Sequence, residues 1–508
     1  MGKLGNMRHA LQGLYNPTTF LHSTCFSTPN TDLSTSYDCF SSQYFHDMPD
    51  PRRRHPKGYA DRKSRKPPIA VQMHHTPIPQ LGPTAQERFL SALAIPSTES
   101  TTPSIASPLL LQPGQLPGSR VHSSQLASAL SRELGPDVVT ASDHFIERLF
   151  PAERLPFPVD RRVFRALAKE RYWDRSLNSF QQLEYSKEGM QKWLNKVGNI
   201  IGNAHNKTVM RSWWHGTCNL PPGGAPMNRK PDIVLISHDY YQSLLNSPRR
   251  VNWLHIRSFA EVTTEARSPS RMVHTINAKS YLLFVVQFDR RFVPALSFNS
   301  SGEYTLTLTD REGQIRYHGV LLSTNGLESA RLFLTMLAFF MFGDDTDIGL
   351  DPHFIRDPET EVLIAVNVDG RRYEIKDHIY TLESFLGRGT RVWIVARDGK
   401  QFVLKDSWVQ ADRVESEVAH LKSMSGHDEI ETLVPTFIGG GDVIINGVRD
   451  STANYRGFGL VGRLNNQRVH CRILTGTIGV PLTSFRSKKE FINGLLTVVS
   501  GESTESPL

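Results

Sequence analysis

Leu386-Gly387-Arg388-Gly389-Thr390-Arg391-Val392-Trp393, followed after a short hairpin by Gln401-Phe402-Val403-Leu404-Lys405-Asp406-Ser407-Trp408, is the stretch on which the fold of this chain turns. Tyr380 to Phe385 reads as a strand leading into a glycine turn, and Val392 to Ala396 as the strand leading out. Asp398-Gly399 turns a hairpin, and Gln401 to Lys405 returns along it. Gly387 and Gly389, with Thr390 closing the turn, lack the side chains that would keep phosphate oxygens away from backbone N–H groups. Lys405 falls on the strand that pairs with this hairpin, where its ammonium meets the α and β phosphates of a nucleotide. A helix is expected over Arg413 to Met424, and Glu417 on it holds the lysine extended. Glu415 is the rival partner, but Glu417 places Leu421 at i+4 on the inward face. Ile473-Leu474 ends a strand-like run before Gly476 and Gly479, and reads as the hinge whose backbone accepts an adenine edge. Any one of these features recurs by chance; their order and spacing together point to a nucleotide cleft.

Outward from this stretch, the chain changes character. It has 508 residues, a formal net charge of +8 and 39% hydrophobic residues, enough for real cores. Residues 1–140 are rich in Ser, Thr, Pro and His, as in Pro77-Ile78-Pro79-Gln80-Leu81-Gly82-Pro83, and read as a disordered basic tail that buries too little apolar surface to offset chain entropy. Arg52, Arg53, Arg54, Lys57, Arg62, Lys63, Arg65 and Lys66 concentrate the positive charge there. A solvated charged stretch is preferred to a nucleic-acid patch or a nuclear-import signal. Cys25, Cys39, Cys218 and Cys471 show no metal-ligand or disulfide spacing. No apolar run reaches the roughly 18 residues of a membrane span, and the expected location is intracellular, cytoplasmic or nuclear.

Residues 141–370 read as an α/β domain. Met190, Trp193, Leu194, Val197 and Ile201 recur along one helical face between Phe180 and Ile201. Strands are expected at Ile233 to Ile236, Trp253 to Val262, Tyr281 to Phe288, Val293 to Phe298 and Tyr304 to Thr309. A turn at Asp310-Arg311-Glu312-Gly313 follows, then a helix over Leu327 to Phe342 ending at Gly343. Residues 371–508 form the third region, and the fold class expected for the whole is α+β.

Further strings fit one family: Asp450-Ser451-Thr452, Arg468-Val-His-Cys-Arg472, Gly479-Val-Pro-Leu482, Phe485-Arg-Ser487, and upstream Arg229-Lys-Pro-Asp-Ile-Val-Leu235, Asp310-Arg-Glu-Gly313 and Gly349-Leu-Asp-Pro352. From about residue 190 to about 496 the chain resembles the fungal-type protein kinase family. The resemblance implies a protein kinase-like small lobe with ATP as ligand, Gly387, Gly389, Thr390, Lys405, Glu417, Ile473 and Leu474 as its contacts, and serine/threonine kinase activity. Two departures qualify that implication. Val392 stands where a third glycine is usual, and the His-Arg-Asp and metal-binding Asp motifs of the family occur nowhere in the sequence. With the kinase ligands for Mg²⁺ missing, the expectation is a lobe truncated before its catalytic loop and inactive alone, an ATP-binding or protein-interaction module. Phe491, Leu495, Leu496 and Val499 form an apolar stripe near the C-terminus, for which a protein partner is expected.

The middle region carries a second pattern. Asp232 precedes an apolar strand and Glu261-Val262-Thr263 ends a later one, which resembles the PD-(D/E)xK nucleases, where two carboxylates hold a metal and a lysine stabilises the attacked phosphate. Thr263 occupies the lysine position, and Lys279 substitutes only by migration from another element. The preferred reading is a degenerate restriction-endonuclease-like scaffold in which Asp232 caps its strand and Glu261 pairs with Arg257 or Arg271, with Asp232 and Glu261 as metal candidates only in the nuclease alternative.

Overall fold

In a computed structural model of the chain, the described residues are 129–130, 133–134 and 139–493, with gaps at 217–219, 264–268, 322–325, 383, 414–415, 426–433, 457–466, 477 and 480–486. All lie in the second of the two units into which the chain divides, Met1–Ile78 and Pro79–Leu508. The basic cluster at 52–66, Glu415, and Leu495, Leu496 and Val499 fall outside the described residues.

Two seven-stranded sheets organise everything else. The first contains β1 (Val139–Thr140) and, past a small β2–β3 hairpin (Trp173–Asp174 and Ser179–Phe180), β4 (Arg211–Trp214), β5 (Ile233–Ser237), β6 (Ser258–Thr263), β7 (Val293–Asn299), β8 (Glu303–Asp310) and β9 (Gly313–Val320). Its order is β1-β9-β8-β7-β6-β5-β4. Only β6/β7 and β1/β9 pair in parallel. The helix Pro269–Val286 makes the crossover that a parallel β6/β7 pair requires.

Alternation along each strand feeds two cores. Ile233, Leu235, Ala260 and Val262 face a core built with the helices Asp143–Leu149, Arg161–Lys169, Lys187–Ala204 and Leu327–Phe342. Val234, Ile236 and Phe259 face the other, with the Pro269–Val286 helix and the His238–Asn246 helix. The Lys187–Ala204 helix starts where the Ser186 hydroxyl accepts a hydrogen bond from the Gly189 N–H at 2.9 Å, and its five stripe residues are all buried.

Three sequence expectations need correction here. Tyr281 to Val286 is the end of the crossover helix rather than a strand, with Gln287 and Phe288 just beyond it, because a run buried throughout from Ile276 to Phe284 has no exposed face to betray its period. Trp253 starts a 3₁₀ turn, Trp253–His255, and the strand begins only at Ser258. Ordered structure begins before Asp143: Leu130 and Leu134 are buried in the second core and β1 pairs with β9.

The second sheet holds β10 (Phe354–Arg356), β11 (Leu363–Val368), β12 (Arg371–Thr381), β13 (Arg391–Arg397), β14 (Lys400–Gln410), β15 (Phe437–Asp442) and β18 (Arg468–Thr475); β16 (Ile444–Ile445) and β17 (Val448–Arg449) make a separate hairpin. The order is β10-β11-β12-β13-β14-β18-β15, antiparallel throughout. This sheet therefore reaches back to Phe354, ahead of the boundary the sequence suggested near 371. Asp398 (φ +50°) and Gly399 (φ +74°) close the β13–β14 hairpin as a two-residue turn with both φ positive.

One face of the second sheet docks on the domain of the first sheet through buried charge. Arg472 donates through Nε to Asp406 at 2.9 Å and through Nη2 to Asp351 at 2.5 Å. Arg291, leading into β7, donates to Asp450 at 2.9 Å, and the Tyr455 hydroxyl donates to the same carboxylate. Arg356 pairs with Asp289. Each buried ion is hydrogen-bonded, as the cost of desolvation demands. Among the described residues no helix is long and apolar enough to cross a membrane.

Candidate functional site: the Lys405–Glu417 cleft

Lys405 lies mid-strand in β14, with Val392 of β13 opposite on one side and Ile473 of β18 on the other. Residues directly opposite share a face, as do residues two apart. The Lys405 face therefore carries Val403, Val392 and Ile473. The opposite face carries Asp406, Trp408 and Leu404 and meets the first sheet's domain.

On the Lys405 face sits the helix Glu417–Met424, packing Val418 and Leu421 against Cys471 and Ile473. The Ser416 hydroxyl accepts from the Ala419 N–H at 3.1 Å and fixes the first turn. This places Glu417 over the strand. Lys405 Nζ donates to both carboxylate oxygens of Glu417, each at 2.6 Å. The pair is mostly buried, with 12% and 18% of the two side chains exposed. Beside it, Ile379, Val392 and Val403 form a small apolar cluster with Tyr380 and Ile394. Val392, where a third glycine was looked for, is thus a packed part of this surface.

The glycine turn reaches the pair from one end. Gly387 (φ +88°) and Gly389 (φ +48°) adopt backbone that only glycine takes without strain. Arg388 between them extends to Glu417, Nη2 to Oε2 3.8 Å, and its carbonyl accepts from the Trp408 N–H at 2.7 Å. The Thr390 carbonyl accepts from the Leu382 N–H at 2.8 Å and closes the loop. Arg388 was not singled out in the sequence, though its place between two glycines was the available signal.

Not every amide of the turn is free. The Gly387 N–H donates to the Arg311 carbonyl at 2.8 Å, and the Leu386 N–H to Glu133 Oε1 at 2.6 Å. Burial raises the Glu133 carboxyl above its usual range, against the Leu386 and Phe385 amides and the Arg311 charge. No local pattern announces that Arg311 and Glu133 reach the turn; the hydrogen bonds they make to it span 73 or more residues of sequence.

Ile473 and Leu474 do not form a hinge. β18 is an interior strand: Ile473 faces Lys405 and Gly440, and Leu474 faces Leu404 and Gly439. Ladders on both edges take the backbone groups that an adenine edge would need. The strand ends at Thr475, and the Gly476 N–H that follows donates to Thr436 O at 2.8 Å.

Asp232 and Glu261 lie together in the first sheet. Asp232 Oδ2 accepts from the Val262 N–H at 3.0 Å, and the Asp232 N–H donates to Glu261 Oε1 at 3.3 Å. Lys279 of the crossover helix pairs with Glu261, and Lys187 Nζ is 2.5 Å from Asp232 Oδ1. Glu261 is buried, which raises its carboxyl; Lys279 opposes that shift and Asp232 adds to it. The expected Glu261 partners were Arg257 or Arg271. Arg257 instead pairs with Asp345 and Glu361; four residues before Glu261 along an extended chain, it lies roughly 13 Å from that residue, and the Arg271 side chain falls outside the described residues. Among the described residues no group of three or more His, Cys, Asp or Glu is placed to hold a metal ion.

Comparison with known proteins gives one match. The family model described as fungal protein kinase aligns with residues 230–461, from the approach to β5 through the Lys405–Glu417 pair. No curated protein matches the chain, and no solved structure does. Over residues 230–461, a little under half of its length, the chain is similar to the fungal protein kinase family.

Proposed function

We propose that the Lys405 face of the second sheet binds ATP, as the nucleotide half of a kinase site. The observation that carries this reading is the two-pronged Lys405–Glu417 ion pair. Protein kinases use such a pair, a lysine on the third strand and a glutamate on the following helix, to hold the nucleotide phosphates. β14 is the third strand counted from β12, which enters the glycine turn. The apolar cluster of Ile379, Val392 and Val403 offers a surface for a base, and Arg388 adds a cation for the phosphates.

Serine/threonine phosphorylation is the activity expected of the family. In that reaction an aspartate orients the acceptor hydroxyl, and Mg²⁺ held by a second motif neutralises the developing charge. The sequence has no His-Arg-Asp string to supply the first. The residues present support binding and orientation of the triphosphate, by Lys405 held by Glu417, and do not themselves complete transfer. The test is thermal unfolding with and without ATP. Ligand at about 100 times its Kd adds ~2.7 kcal/mol, so the wild-type chain melts several degrees higher with ATP and Lys405→Met shows no shift. Identical wild-type curves with and without ATP reject the reading.

A second reading is supported by Lys279, which pairs with Glu261 beside Asp232. Two carboxylates and a lysine are the groups a metal-dependent nuclease needs. Against it, Lys187 and Lys279 already neutralise both acids, so a divalent ion would have to displace a cation from each. Metal-dependent DNA cleavage that disappears in Asp232→Asn would establish this reading; cleavage that persists equally in the variant marks a contaminant.

A further inference from the structure

We infer that Arg311, at the turn between β8 and β9, is a positioning residue for the phosphate-binding turn of the nucleotide site, so that this site is built jointly by the two sheets. The inference rests on the ATP reading above and extends it to a residue outside the second sheet.

Arg311 grips the turn from its outer side at several points. Its carbonyl accepts from the Gly387 N–H at 2.8 Å. Its Nη1 donates to the carbonyls of Ser384 at 3.0 Å and Phe385 at 3.2 Å. A Cβ added at Gly389 would lie 2.5 Å from its Cζ, so glycine there is what lets the guanidinium close on the loop. Phe385 anchors the same loop, fully buried against Tyr281 and Phe284 of the crossover helix, with ring centroids 6.0 and 5.8 Å apart. The far end of the turn, Arg388, meets Glu417. The turn is thus a bridge, one end held by Arg311 and Phe385 and the other beside Lys405.

Two consequences follow for a bound triphosphate. A loop with two glycines at positive φ has much conformational freedom to lose on binding. Fixing it beforehand removes that cost from the binding step. The second consequence is electrostatic. The Arg311 guanidinium is buried, lies 4.6 Å from the Phe284 ring centroid, leaves its Nε without a hydrogen-bond partner and makes no ion pair among the described residues. Burial pulls it down to about 9, with Arg391 acting the same way and Glu133 opposing. A buried cation short of a contacting counter-ion, directly behind a phosphate-binding turn, favours polyanionic occupants of that turn over neutral ones.

The test separates phosphate recognition from simple stability. Calorimetric titration of the full chain with ATP, ADP and adenosine is compared for wild type, Arg311→Ala, Arg311→Lys and Lys405→Met, with melting temperatures alongside. Arg311→Ala is expected to weaken ATP binding about tenfold or more while leaving adenosine unchanged, and Arg311→Lys to recover part of the loss. Gly389→Ala, which drives a methyl into Arg311, should reproduce the selective loss and serves if Arg311→Ala does not fold. An Arg311→Ala protein that keeps the wild-type preference for ATP over adenosine, or loses both ligands equally, overturns the inference while the ATP reading stands. Wild-type protein with no preference for ATP, unaffected by Lys405→Met, overturns both.

Discussion

The indole of Trp408 lies flat on the imidazole of His470, with ring centroids 4.6 Å apart and planes within 6° of parallel. The stack holds His470 between two carboxylates, Nε2 3.0 Å from Asp406 and Nδ1 2.9 Å from Asp450. Burial alone would lower the imidazole; the two acids overrule it and raise it to about 9. A group whose folded pKa lies above its unfolded value of about 6.5 contributes stability that is complete below pH 6.5 and lost as pH rises through 9. Thermal unfolding of the wild-type chain should therefore show stability falling from pH 6.5 to 9, and His470→Gln should flatten that limb. An equally steep fall in the variant would assign the effect to other groups.

Arg472 contacts both Asp351 and Asp406, and the imidazole of His470, two residues earlier on its strand, approaches the same two carboxylates. Arg472→Ala leaves two buried acids without it, and removing one partner of such a group costs about 3–5 kcal/mol. Urea denaturation would measure the loss; a change below about 1 kcal/mol contradicts the arrangement.

Lys279 matters to the first sheet in the same way. Lys279→Met strands the buried Glu261, with an expected loss again of about 3–5 kcal/mol. The double variant Lys279→Met/Glu261→Gln should recover a large part of it, and a strictly additive double variant would show that the two side chains do not interact.

Gly349 ends a 3₁₀ turn with φ +99°, and a Cβ there would overlap the Phe292 carbonyl oxygen. Gly349→Ala combines backbone strain with a clash against rigid backbone, and a loss of at least ~2 kcal/mol is expected in the same denaturation experiment. Near-wild-type stability would mean that the Phe292 backbone yields.

Ser416 is the smallest lever on the cleft. Ser416→Ala removes the cap of the helix that presents Glu417, at ~1 kcal/mol. The ATP-induced melting shift should shrink in this variant, whereas Asn252→Ala, which removes the cap of the unrelated 3₁₀ turn Trp253–His255 where Asn252 Oδ1 accepts from the Leu254 N–H at 2.9 Å, should leave it intact. Equal shifts in both variants would separate Glu417 from its cap.

The Lys405–Glu417 pair was legible because every step to it is local: a turn, a hairpin and one capped helix, within 12 residues of separation. The helix over Leu327–Phe342 was legible for the same reason. The Tyr281–Phe288 run was not, since a largely buried apolar stretch suits either a strand or a helix. The hinge assignment for Ile473 and Leu474 failed because strand order is a long-range property. β15 folds back to pair with β18 across an insertion holding β16, β17 and the helix Thr452–Arg456. Arg311 and Glu133 were hidden by distance along the chain, and so was Arg291, whose partner Asp450 is 159 residues away.

The charged seam between the sheets also bears on how this molecule comes apart. A fragment cut at residue 371 would shed β10 and β11, bare the edge of β12, and leave Asp406, His470 and Arg472 facing water without Asp351. Neither half owns a complete set of neutralised charges. Melting should accordingly be a single cooperative event, with backbone amides on both sides of the seam exchanging their hydrogens at a common rate rather than as two separable foldons.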